Sequence, residues 1–194
     1  MASLKIIGGT TRPGRFNPQV AEWVYKQAKA AGAYESDEEF EVELVDLAEL
    51  NLPMYDESTP AQAHQYDKAH TKKWAEIVGG ADGFVIVSPE YNHSVPGALK
   101  NALDYLYSEW NHKPVTFVSY GSRAIEHLRA IAGELRMYDL RDQLLISNYW
   151  ERLDEEGVYQ FSEQEKDTLN TQLKDLLFWA KHMKQARAGS LVSA

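Results

Sequence analysis

Two stretches of the chain carry residue types and spacings that suit ligand chemistry. In 8–17, Gly-Gly-Thr-Thr-Arg-Pro-Gly-Arg-Phe-Asn, glycine allows close backbone approach, and threonine hydroxyls and backbone N–H groups can donate. Arg12 and Arg15 add guanidinium groups, which bind phosphate bidentately, and Asn17-Pro18 opens a helix whose N-terminal dipole favours an anion. Two arginines, two threonines and a capped helix in one loop favour an anion site over a pair of solvated surface charges. The second stretch is Ser88-Pro89-Glu90-Tyr91-Asn92-His93-Ser94, between a strand and a helix. It is longer and richer in polar and aromatic groups than a plain turn requires. It also lies at the carboxyl end of a buried strand, where open α/β sheets bind their ligands.

Other chemistries lack their residues. Gly9 to Phe16 is a near miss to the nucleotide-triphosphate loop, with Arg15 in place of lysine and Phe16 in place of the metal-binding Ser/Thr, so magnesium lacks a ligand. No G-x-G-x-x-G follows the first strand, and no G-x-S-x-G occurs. The chain has no cysteine, which removes thiolate nucleophiles, disulfides and cysteine metal sites. Its six histidines show no metal-ligand spacing, His64 and His70 included. No general acid or base stands out.

Alternating strands and helices must position the two loops. Residues 83–87 are apolar and β-branched and read as a strand buried on both faces, and 4–7 and 114–120 read as further strands. Residues 40–47, FEVELVDL, alternate as a strand nearer an edge, after an acidic lead-in from Glu35 to Glu41 that reads as solvated, and 143–148 form a fifth strand. Val20, Trp23, Val24 and Ala28 stripe the first helix, with Gly32 suited to its C-cap. Residues 52–65 form a loop and 66–78 a helix. The next helix has Ser94 or Val95 as N-cap, Pro96 in its first turn, and Leu99, Ala102, Leu103 and Leu106 on its apolar stripe. Its other face offers Lys100, Asn101, Asp104 and Tyr105. A helix over 124–137 follows, and Ser162 with Glu165 forms a capping box for the last one.

This alternation gives a parallel sheet covered on both faces with right-handed crossovers. The expected fold is α/β, a flavodoxin-like three-layer sandwich with a five-stranded parallel sheet of order 2-1-3-4-5. The switch point then falls between the first and third strands and brings 10–17 beside 89–93. The expected organisation is one domain over 1–187 and a flexible C-terminal tail over 188–194. A net charge of −9 argues against nucleic acid and anionic membrane as partners. No run is long and apolar enough to span a bilayer, and the start carries no signal-peptide core. Together with the missing cysteines this suits a cytoplasmic protein.

The residues also resemble a known family. Gly-Gly-Thr-Thr-Arg-Pro-Gly-Arg is similar to a G-S-T-R-x-x-R loop, and Ser88 to Asp104 to an [ST]-P-E-Y-N-x-S-x-P-x-x-L-K-N-A-x-D block. Leu52-Pro53-Met54-Tyr55-Asp56 is similar to L-P-x-[YF]-D. Together they resemble the NADPH-dependent FMN reductases, the flavodoxin-like group with quinone, azo-dye and chromate reductases. The resemblance implies that Thr10, Arg12, Arg15 and Asn17 hold an FMN phosphate with the N–H groups of Gln19 and Val20. Pro89, Glu90, Tyr91 and Asn92 would line the ribityl chain and ring, mostly through backbone groups. His93, at the motif's variable position, is either a further contact or a solvent-facing residue. Family members carry a glycine pair after the fourth strand that meets the flavin's pyrimidine edge. Here Tyr120-Gly121-Ser122 passes directly into Arg123, so that edge would meet a shortened loop. The implied function is hydride transfer from NAD(P)H through FMN to a quinone-like or other small-molecule acceptor, in a homodimer or tetramer. The shortened loop leaves a second reading, a flavodoxin-like regulatory domain without flavin.

Overall fold

The computed structural model describes residues 1–34 and 40–189. The five strands are β1 (Ser3–Gly8), β2 (Glu41–Asp46), β3 (Gly83–Ser88), β4 (Pro114–Ser119) and β5 (Tyr138–Leu145). Six α-helices are interleaved: α1 (Asn17–Tyr34), α2 (Leu47–Leu50), α3 (Ala69–Gly79), α4 (Gly97–Asp104), α5 (Ser122–Glu134) and α6 (Glu163–Ala188). All strand pairs are parallel and the order is β2-β1-β3-β4-β5, as the alternation predicts.

The three central strands are buried along their length, which their continuous apolar sequences require. Side chains of successive residues serve opposite layers. Ile7, Phe84, Ile86 and Phe117 pack with Trp74, Trp110, Leu99, Ile125 and Leu128 from the α3, α4 and α5 side. Leu4, Ile6, Val85, Val87 and Val118 pack with Val20, Val24, Leu169, Leu173 and Leu176 from α1 and α6.

Several boundaries depart from the sequence expectation. β5 begins at Tyr138, not 143, and ends at Leu145, because it is an edge strand in which Asp139, Arg141 and Asp142 flank the buried Leu140 and leave no apolar run to read. A register shift between Val115 and Phe117 is filled by Thr116 Oγ1, which donates to Asp142 O at 2.9 Å, and by buried Gln172 Nε2 at 3.1 Å from the same carbonyl. α1 runs through Gly32 to Tyr34. α3 starts at Ala69, not 66, since the Glu57 carboxylate takes the N–H groups of Asp67 and Lys68, each at 3.0 Å. α5 spans Ser122–Glu134 and not 124–137. The N-cap of α4 is Pro96, because Ser94 is held by Tyr91 and the chain stays extended through Pro96. The acidic lead-in falls, at 35–39, outside the described residues, and so do residues 190–194 of the expected tail; Ala188 is the last residue of α6.

The capping box of α6 forms as read. Ser162 accepts from Glu165 N–H, and Glu165 accepts from Ser162 N–H at 2.7 Å. Glu165 also takes Tyr159 OH and Arg152, so it fixes the segment that leads into the helix. Ser162→Ala removes one cap bond and should cost about 1 kcal/mol. For a chain of this size that is roughly 2–4 °C in Tm by scanning calorimetry. An unchanged Tm would show that the neighbouring residues hold the helix start unaided.

Candidate functional site

The switch point between β1 and β3 holds both loops. Gly9 N–H donates to Val87 O at 2.8 Å and Asn17 Nδ2 to the same oxygen at 2.9 Å. Asn17 is buried and its side chain is turned to the end of β3. Thr10, also buried, shares a 2.8 Å hydrogen bond with Tyr91 OH, which joins the first loop to the second. A Cβ on Gly9 would lie 3.0 Å from both Val87 O and Leu99 Cδ2, so the loop passes where only glycine fits without movement.

The two arginines play different parts. Arg12 is exposed, and its side chain has no carboxylate partner among the described residues. Arg15 is largely covered and paired through Nη2 with Asp46 Oδ2 at 2.5 Å, while its buried Nε has no acceptor. Asp46 also caps α2, accepting from Ala48 N–H at 2.9 Å. Arg15 therefore ties the first loop to the start of α2. Gln19 is held through both its backbone and its side chain. Its N–H donates to Phe16 O at 3.1 Å, and its side chain donates to Gly157 O and accepts from Tyr159 N–H. Val20 is buried in the α1–α6 core.

In the second loop Tyr91 and Ser94 exchange two backbone bonds around Asn92 and His93, whose φ values are 49° and 68°. Pro89 is buried, while Asn92 and His93 face solvent. Glu90 reaches across to the start of α5: Oε2 accepts from Arg123 N–H and Oε1 from Arg123 Nη1, each at 2.8 Å. Partial burial works to raise the Glu90 pKa, but these bonds and the Arg123 charge outweigh it and hold it below the ordinary value. Tyr120 packs edge-on to Phe16 and Tyr149; burial raises its pKa, against a hydrogen bond with Asn17, so the phenol stays protonated. Ser122 is exposed at the first turn of α5.

Three functional placements were missed in the sequence. Arg123 and Asp46 are the partners of Glu90 and Arg15, and only their places after β4 and at the end of β2 hinted at it. The third is Asn101. Its Oδ1 accepts from Tyr55 N–H at 2.9 Å and its Nδ2 donates to Pro53 O at 2.7 Å. Tyr105 OH adds bonds to Pro53 O and Asp56, and burial with the Asp56 carboxylate pushes its pKa up to about 12. Asn101 and Tyr105 are thus buried under the 53–56 loop, and of the expected outer face of α4 only Lys100 and Asp104 are exposed. The pinned loop walls a groove of about 580 Å³ beside Thr11, Met54 and Gly97.

Gly121 is set by contact, not by backbone angle. Its φ of −173° suits any residue, but a Cβ there would lie 2.1 Å from Glu90 Cβ. Gly121→Ala should lower stability by about 1–3 kcal/mol through forced displacement of Glu90 from the α5 start. The measurement is the urea midpoint at constant m-value, and a midpoint equal to that of the unmodified chain would contradict the contact.

Residues 3–151 match the family described as NADPH-dependent FMN reductase. An NAD(P)H-dependent FMN reductase of Schizosaccharomyces pombe is 41% identical over 138 residues, 68% of this chain and 66% of that protein. The aligned stretch therefore spans just under two thirds of that relative. A quinone reductase of Escherichia coli (strain K12) is 40% identical over 99 residues, covering 50% of this chain and 46% of that protein. An oxidoreductase structure from Corynebacterium diphtheriae superposes with a TM-score of 0.74 at 16% identity, covering 94% of this chain and 98% of that one, which is a likeness of the flavodoxin-like fold. With more than half its length matched, the chain belongs to the NADPH-dependent FMN reductase family.

Proposed function

We propose that the crevice between the two loops binds FMN and that the chain is an NAD(P)H-dependent reductase of a quinone-like or other small-molecule acceptor. The observation that carries the reading is the first loop, where Arg12, exposed and without a carboxylate partner among the described residues, and Arg15, whose buried Nε has no acceptor, both precede the start of α1. These residue types suit a phosphate, since guanidinium groups and the N-terminus of a helix both favour an anion. FMN, when bound, supplies the hydride acceptance and release; the chain supplies binding and orientation.

Thr10, Arg12, Arg15 and Asn17 take the phosphate end in this reading, with the backbone N–H of Val20 and that of Gln19, the latter shared with Phe16 O, completing the helix start. Pro89, Glu90, Tyr91 and Asn92 line the ribityl and ring portion, with His93 at its solvent edge. At the pyrimidine end Tyr120, Gly121 and Ser122 form the shortened loop, and Glu90 already holds the Arg123 N–H in the first turn of α5. Affinity therefore rests on the phosphate end. The reading includes assembly as a homodimer or tetramer: Met54, 78% exposed beside the groove, is apolar surface that a second copy would cover. A cytoplasmic location belongs to the same reading. A flavin-free regulatory domain finds no support in the reductase names of the relatives.

Arg12→Ala should lose about 1.5–3 kcal/mol of FMN binding, since hydrogen bonds to charged groups are worth that much. That is roughly ten- to a hundredfold in Kd by fluorescence titration. Riboflavin, which lacks the phosphate, should bind the two proteins alike; equal losses for both ligands would sink the assignment. Arg15→Ala should lower FMN affinity and stability together, because Asp46 is left without its cation.

Initial rates give an independent test. If one crevice serves donor and acceptor in turn, double-reciprocal plots at several acceptor concentrations should be parallel. Intersecting lines would mean that both substrates are bound at once.

A further inference from the structure

At the end of β4 opposite Tyr120, two residues that are not glycine adopt the left-handed conformation and hold each other. His112 has φ 59° and Arg136 φ 53°, and His112 N–H donates to Arg136 O at 2.9 Å. Arg136 ends α5: its N–H bonds Gly133 O and Met137 N–H bonds Ala132 O, the pair of bonds at which a helix ordinarily places glycine. Arginine costs more there than glycine would, and strained backbone of this kind concentrates at functional positions.

What the strain sets in place is a small cavity with a cationic rim. A pocket of about 250 Å³ is lined by His112, Arg136, Met137, Tyr138, Met183 and Arg187. The Arg136 side chain has no hydrogen-bond or ion-pair partner among the described residues. His112 Nε2 is buried and likewise unpartnered. Arg187 is anchored, with Nη1 on His112 O at 2.7 Å and Nη2 on Asp82 Oδ1 at 2.6 Å. Asp82 is shared with Lys184 at 2.8 Å, so one carboxylate answers two cations while Arg136 stands beside them unanswered. Burial, and after it the charges of Arg136 and Arg187, hold the His112 imidazole below its ordinary pKa. The rest of the lining is Met137, Tyr138, Met183 and Ala186, thioether, aromatic and methyl surface.

We propose that this pocket is a second binding site, for a small organic anion: a carboxylate or phosphate monoester carried on an apolar body. Arg136 meets the charged head, His112 Nε2 gives or takes one hydrogen bond, and Met137, Tyr138 and Met183 cover the body. The cavity is smaller than those that hold drug-sized ligands, which excludes a dinucleotide and suits a single ring. The site shares no residue with the crevice and does not depend on the reading of that crevice.

The test is a titration of the full chain with phenyl phosphate, benzoate and inorganic phosphate, followed by NMR at the His112 ring. Phenyl phosphate could also enter the first loop, so the titration is repeated in Arg12→Ala. Saturable shifts at His112 with phenyl phosphate or benzoate, equal in both backgrounds, are expected, with inorganic phosphate at least tenfold weaker. Arg136→Gly should weaken organic-anion binding at least tenfold while raising Tm, because it relieves the backbone as it removes the cation. Arg136→Gln, which keeps a long side chain, should weaken binding without that rise. No saturable shift at His112, unaltered affinity in both variants, or equal binding of inorganic phosphate would each overturn the proposal.

Discussion

The Val87 carbonyl accepts two hydrogen bonds, from Gly9 N–H and Asn17 Nδ2, and the geometry of the crevice depends on that double acceptance. It ends β3 and fixes the first loop at once, so the spacing between the two loops is set by one peptide group. Each bond is worth about 1 kcal/mol net, but a buried acceptor or donor left alone costs about 1–3 kcal/mol. The close passage of Gly9 against that carbonyl and Leu99 is the steric half of the same constraint. Thr10 and Tyr91 then meet because their loops already leave from fixed points.

Net charge alone would make this a poor anion binder. Exposed charges more than about 8–10 Å away are screened at physiological salt, so the local set decides. Locally the first loop has two arginines, of which Arg15 is neutralised by Asp46 while it positions the loop. Arg12 is left as the uncompensated charge. Division of labour between a paired, partly buried arginine and a free, exposed one gives rigidity and attraction from the same residue type. The Glu90–Arg123 pair does the reverse across the crevice, where a carboxylate closes a helix start that would otherwise attract anions.

The strand order and the adjacency of the two loops were legible because they follow from apolar runs alternating with helical stripes. Central strands announce themselves; β5 did not, since from Tyr138 to Asp142 the buried Leu140 stands among Asp139, Arg141 and Asp142 and is too little to show a pattern. The starts of α3 and α4 were misplaced for a related reason. Glu57, ten residues ahead of Asp67, and the Tyr91–Ser94 pairing take the backbone groups that local propensity would have given to the helices. Asn101 and Tyr105 read as an outer polar face because a helical wheel cannot see the 53–56 loop folded over them. Partner choice was the illegible part of the site: the types of Arg12 and Arg15 are alike, and only Asp46, thirty-one residues along the chain from Arg15, separates them.

The Asn92-His93 turn shows how loop chemistry becomes side-chain aim. Both residues lie in the left-handed region, which is the two-residue turn that matches a pair of bonded flanking positions. Asparagine tolerates that conformation, but histidine costs roughly 1–2 kcal/mol relative to glycine. The cost is offset by two backbone bonds between Tyr91 and Ser94, each worth about 1 kcal/mol, and by the Thr10–Tyr91 bond that this geometry permits. A looser turn would leave the Tyr91 ring free to rotate away from Thr10. Because the turn is closed on itself, with both bonded residues inside it, the ring is aimed across the crevice before any ligand arrives, and less order has to be created on binding.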